Sequence, residues 1–124
     1  MAYREAGDPG APVVLFVHGY PESSFMWRAA IDAVAADGWR AIAPDLPGYG
    51  DSEPDPPGTW ERHVEALERF RQAVGLDNPV LVVHDWGVMV GLRWACDHPG
   101  AARALVISDG GFFADRRWHD FANS

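Results

Sequence analysis

Three short apolar runs in this 124-residue chain end on residues that can do chemistry. Residues 13–17 lead into His18-Gly19-Tyr20-Pro21, residues 79–83 into His84-Asp85-Trp86-Gly87, and residues 104–107 into Ser108-Asp109-Gly110-Gly111. The middle set is the most pointed. A carboxylate raised on a strand-to-helix turn has the backbone N–H groups and positive dipole end of the next helix beside it, and these keep it ionised. Such a carboxylate can attack an electrophilic carbon and form an ester. The same pattern also fits a plain helix cap, a frequent use of aspartate. Gly19 and Gly87 suit a tight turn and a close backbone approach, where a Cβ finds no room.

Residues in such positions need rigid elements behind them. Val13-Val-Leu-Phe-Val17 is β-branched and apolar throughout, the mark of a strand buried on both faces. Trp27, Ile31 and Val34 then recur at helical spacing over 26–37, and Gly38 supplies a C-terminal stop. Residues 40–44 form a second strand, and Pro47-Gly-Tyr-Gly50 with Pro54, Pro56, Pro57 and Gly58 forms a loop rich in breakers. Thr59 is placed to cap a second helix whose apolar stripe runs Trp60, Val64, Leu67, Phe70, Val74 up to Gly75. A third strand at 79–83, a helix at 86–97 closed by His98-Pro99-Gly100, and a fourth strand at 104–107 follow, with 1–5 as a further edge strand. Strands alternating with helices predict right-handed crossovers and a three-layer α/β/α fold around a mostly parallel sheet. Ligands of such folds bind at the strand ends, where the three motifs lie.

Composition narrows the function class. Apolar residues at 48% and charged residues at 23% are ordinary globular usage. A net charge of −8 opposes nucleic acid and anionic membranes as partners. No apolar run is long enough to span a bilayer and no basic-then-apolar segment opens the chain, so a cytoplasmic protein is expected. Cys96 is the single cysteine, which excludes an internal disulfide and a cysteine metal cage; it is expected to pack as a small buried hydrophobe. No metal or cofactor is expected.

Three ordered motifs carry a family resemblance that covers almost the whole chain. His18-Gly-Tyr-Pro-Glu-Ser-Ser-Phe-Met-Trp-Arg28, Asp45-Leu-Pro-Gly-Tyr-Gly-Asp-Ser52 and Leu81-Val-Val-His-Asp-Trp-Gly87 resemble the α/β-hydrolase superfamily, within it the haloalkane dehalogenases and epoxide hydrolases. The resemblance implies that Asp85 is a nucleophile on a strand-to-helix elbow. It implies that Tyr20 and Trp86 give oxyanion-hole N–H groups, that the Trp86 indole faces a halide, and that Asp109 is the acid orienting a catalytic histidine. His18, Gly19, Pro21, His84 and Gly87 are then supporting motif residues, and the substrate is a small apolar organic molecule attacked with the help of water. Packing alone remains the alternative for Trp86, and a turn aspartate for Asp109. Ser23-Ser24, Trp27-Arg28 and Gly91-Leu-Arg-Trp-Ala95 look like dehalogenases. Tyr20, standing where many of those enzymes have a halide-binding asparagine, looks like epoxide hydrolases. The expected activity is carbon–halogen hydrolysis, with epoxide hydrolysis and a non-catalytic binding fold as alternatives.

Hydrolysis of the ester needs a histidine base, which the resemblance places after the last strand. None of His18, His63, His84, His98 and His119 stands there. The expectation is that 1–124 is the N-terminal part of a single α/β-hydrolase domain, that 110–124 lead toward a cap, and that these residues alone do not turn over substrate.

Overall fold

The computed structural model describes residues 1–111. Strand β1 (Tyr3–Ala6) is followed by β2 (Val13–Val17), a 3-10 turn (Ser24–Trp27), α1 (Arg28–Ala36), β3 (Arg40–Pro44), α2 (Trp60–Val74), β4 (Val80–His84), α3 (Trp86–Asp97) and β5 (Ala104–Ser108). The sheet order is β1-β3-β2-β4-β5. Among the described residues only β1 runs antiparallel, pairing Tyr3 with Pro44 at the outer edge of β3. The three other pairings are parallel.

The alternation of side chains along a strand explains the layers. Val13, Leu15 and Val17 face one side and pack with Leu67 and Phe70 of α2 and Val88 and Trp94 of α3. Val14 and Phe16 face the other side, against Trp27 and Ile31 beside and on α1. All five β2 residues are buried, as a central strand covered on both faces requires. β5 is the outer strand among the described residues, with Leu105, Val106 and Ile107 about half exposed.

Helix ends follow their sequence signals. The Thr59 side chain accepts the Arg62 N–H, and Gly75 closes α2 at φ 72° in the left-handed region. The expected 26–37 helix differs at its start: Ser23 accepts the Phe25 N–H, a 3-10 turn forms, and α-helical geometry begins at Arg28. A second correction concerns Cys96, which is exposed, because α3 turns that position away from the sheet. Among the described residues no helix is long and apolar enough to cross a membrane. Residues 112–124, the expected path toward a cap and the position of His119, lie outside the described residues.

A polar clasp joins α2 to α3. Glu68 accepts two hydrogen bonds from the Arg71 guanidinium and one from the Trp94 indole N–H, and Gln72 adds a fourth at 2.9 Å. The Arg71 hydrogen bond, ahead of the opposing effect of burial, holds the Glu68 carboxyl well down, to about 2 from an ordinary 4.5. Because the folded-state value is depressed, the stabilisation is complete above about pH 4.5 and is lost as pH falls toward 2. Glu68→Gln is expected to lower stability by on the order of 2 kcal/mol at neutral pH, and the gap to the wild type closes across that acid window. Urea unfolding of both proteins at a series of pH values measures it.

Candidate active site

The site begins at the turn between β4 and α3. Asp85 occupies it with φ 55° and ψ −127°, a conformation that a residue with a Cβ adopts only under strain of about 1–3 kcal/mol. Its side chain makes no capping hydrogen bond to α3, so the cap reading of this aspartate does not hold. Instead Oδ2 accepts the backbone N–H of Tyr20 at 3.0 Å, from a loop 65 residues earlier in the chain.

Two glycines permit this approach. A Cβ on Gly19 would lie 2.6 Å from Asp85 Oδ2 and 2.8 Å from Trp86 N, so the Tyr20 loop, the carboxylate and the Trp86 N–H converge on one point. A Cβ on Gly87 would lie 2.6 Å from the His18 carbonyl oxygen, which lets α3 start hard against the end of β2. The Tyr20–Pro21 peptide in the same loop is cis.

The loop is fixed from below by two buried polar groups. His18 is fully buried, and its Nε2 accepts the Leu46 N–H at 3.0 Å. That bond places the ring proton on Nδ1, which donates to the Gly19 carbonyl at 2.9 Å. Burial lowers its pKa, and with both nitrogens engaged the ring is a neutral pin. Asp45, at the end of β3, accepts Ser24 N–H at 2.7 Å and Asp51 N–H at 3.1 Å. Burial pushes its carboxyl up, but these backbone bonds and the Ser24 hydroxyl outweigh it and hold it below the ordinary range. Asp45→Ala strands two N–H groups and is expected to lose about 3 kcal/mol in urea unfolding, with Asp45→Asn losing less because one acceptor remains.

The other expected site residues take definite places. Trp86 is 42% exposed, so plain burial does not account for it. His84 turns away from Asp85: Nδ1 lies 3.1 Å from Ser108 Oγ, and Nε2 lies 3.5 Å from a Glu22 carboxylate oxygen. The β4–β5 register pairs His84 with Ser108, so Asp85 and Asp109 leave the sheet side by side. Asp109 also has positive φ, 49°, and Gly110 behind it leaves room for the Asp85 carbonyl at 2.7 Å from where a Cβ would sit. The Asp109 side chain is exposed and makes no hydrogen bond to a described residue.

A cavity of about 360 Å³ opens beside the Asp85 turn, lined by Tyr20, Tyr49, Trp60, His63, Trp86 and Val90 among others. Burial, followed by the Tyr20 phenol and the Asp85 charge, raises the Tyr49 pKa, so this phenol stays protonated near the carboxylate. The motif reading placed no role on Tyr49, Trp60 or His63. The available signal was a polar residue, His63, on the inward stripe of α2 beside Val64 and Leu67. Among the described residues no group of three or more His, Cys, Asp or Glu side chains is placed to hold a metal.

The sequence profile described as alpha/beta hydrolase fold matches residues 12–123. The chain belongs to the alpha/beta hydrolase fold family. Within that family it is 42% identical over 123 residues to a haloalkane dehalogenase of Mesorhizobium japonicum, a match covering 98% of this chain and 38% of the relative. It is 43% identical over 89 residues to epoxide hydrolase A of Mycobacterium tuberculosis, covering 69% of this chain and 28% of that protein. The crystal structure of an ancestral haloalkane dehalogenase superposes with a TM-score of 0.83 at 41% identity, covering 88% of this chain and 38% of that one. The chain thus spans well under half the length of these hydrolase-fold relatives. The three-layer architecture expected from the alternating strands and helices is the family's fold.

Proposed function

We propose that this chain carries the nucleophile half of a hydrolase that opens carbon–halogen bonds through an ester on Asp85. The observation that carries the reading is the Asp85 carboxylate, uncapped by its own helix and held by the Tyr20 N–H at 3.0 Å at the mouth of an aromatic cavity. The relatives named haloalkane dehalogenase support the bond class.

In the first step a carboxylate oxygen of Asp85 attacks the halogen-bearing carbon. A carbon–oxygen bond forms, the carbon–halogen bond breaks, and halide leaves with the electron pair. The indole of Trp86 faces the departing ion. In the second step water, deprotonated by a base, adds to the ester carbonyl, and the oxyanion settles between the N–H groups of Tyr20 and Trp86. Collapse releases an alcohol and restores the carboxylate. Asp109, beside Asp85 at the strand ends, orients the base. His18, His84 and His98 are not in position for that task, because each ring is engaged elsewhere. The setting proposed for this chemistry is the cytoplasm, with a small apolar halide and water as the reacting partners.

The epoxide reading draws on a different observation. The rings of Tyr20 and Tyr49 meet edge to face at 6.3 Å beside Asp85, and a protonated phenol can give its proton to an opening epoxide oxygen. One experiment separates the two. The chain is exposed to a short primary bromoalkane or to a terminal epoxide, and its intact mass and peptides are analysed. An alkyl ester on Asp85 with one equivalent of bromide supports the dehalogenase reading. A hydroxyalkyl ester from the epoxide alone supports the other, and an adduct on a different residue overturns both.

A further inference from the structure

His63 sits in the first turns of α2 with only 9% of its surface exposed. A neutral imidazole holds one donor and one acceptor, and a buried one nearly always spends both. Here Nδ1 is closed off and has no partner, and Nε2, which makes no hydrogen bond to a described residue, is the ring nitrogen left to face the cavity. The ring stacks edge-on against Tyr49 at 6.0 Å, and Tyr49 in turn meets Tyr20, whose N–H holds Asp85. His63 therefore lines the cavity one aromatic ring beyond the nucleophile position, among Trp60, Leu46 and Val90, which offer carbon surfaces. Burial, with the neighbouring His18 and against the pull of Asp55, keeps its pKa low, so the ring is uncharged at neutral pH.

We propose that His63 is a specificity-determining residue whose Nε2 hydrogen-bonds a neutral polar group at the far end of the substrate. The preferred substrates are then halides or epoxides bearing a remote hydroxyl, ether or carbonyl, ahead of plain alkyl compounds. This rests on the reading of Asp85 as the attacking group. A site built with an unspent polar group rejects the analogue that leaves it unpaired, whereas an all-carbon pocket discriminates weakly. A charged terminus is excluded by the same burial that keeps the ring neutral.

The test compares an n-alkyl bromide with the same-length bromide carrying a terminal hydroxyl, following ester formation on Asp85 by mass spectrometry. The wild type is expected to favour the hydroxy compound by about tenfold at subsaturating concentration, the size of one net hydrogen bond. His63→Phe is expected to abolish the preference while alkylation by the plain bromide continues, and His63→Gln, which keeps a donor and an acceptor, to retain part of it. Equal rates in the wild type, or a preference that survives His63→Phe, overturn the proposal. If no bromide alkylates Asp85, the nucleophile reading fails and a second readout still decides this one. Imidazole nitrogen shifts of His63, followed by NMR on adding a chain-matched alkanol, are expected to move, and to stay unmoved with the alkane. Shifts unmoved by the alkanol overturn it.

Discussion

Asp85→Asn is expected to reduce ester formation by about 10⁴-fold or more, because on the proposed mechanism it removes the attacking oxygen itself and not a group that assists it. The fold should persist. An asparagine oxygen can still accept the Tyr20 N–H that now reaches Oδ2 at 3.0 Å, and asparagine matches the size and shape of the aspartate it replaces. The measurement pairs intact-mass analysis after exposure to a bromoalkane with thermal unfolding by circular dichroism. Loss of the adduct with an unchanged melting curve is the expected pair. An adduct that forms as fast on the asparagine variant moves the nucleophile elsewhere.

Gly19→Ala is the second large effect, and it acts through space alone. The backbone at Gly19 is not in the left-handed region, so alanine suffers no conformational penalty there. Its methyl would stand 2.6 Å from Asp85 Oδ2 and 2.8 Å from Trp86 N, inside van der Waals distance of both. Either the carboxylate or the loop must shift. Overpacking of this kind loses about 1–3 kcal/mol of stability. On the proposed mechanism, displacing the Asp85 carboxylate and the neighbouring N–H donors by a fraction of an ångström is expected to slow ester formation about 10²-fold. Gly10→Ala is the matched control: its Cβ meets nothing nearer than an Asp8 side-chain oxygen at 3.4 Å, and it should change neither rate nor stability. Ester formation and urea unfolding on both variants check the contrast.

These effects meet in one region because the parallel sheet brings distant turns together. β2 delivers Gly19 and Tyr20, β4 delivers Asp85, and β5 delivers Asp109 at the same level. His18 and Asp45 hold the first of these turns with buried hydrogen bonds, so the Tyr20 N–H meets the carboxylate in a fixed direction. The strain at Asp85 is then sustained by α3 on one side and by that N–H on the other.

Most of the architecture was legible locally. The unbroken apolar run at 13–17 reads as a doubly covered strand, and the Trp60-to-Val74 stripe between Thr59 and Gly75 reads as α2, since both depend on periodicity and nearby caps. The motif order likewise placed Asp85 at a strand-to-helix turn and glycines at the crowded positions. Cys96 shows the limit of residue-type arguments, since a thiol that usually packs inside lies on the outer face of α3.

The sequence by itself determined the alternation of strands and helices, the strand ends at which the three motifs stand, and the residue types in them, because each depends on neighbours a few positions away. Only the tertiary structure decided that Asp85 does not cap its helix and that His63 lines the cavity with its Nδ1 left without a partner among the described residues. The physical reason is distance along the chain. The Tyr20 N–H that holds Asp85 arrives from 65 residues earlier, and the ring that meets His63 belongs to the breaker-rich loop before α2. Contacts of that kind are fixed by how the layers pack and leave no mark in local spacing.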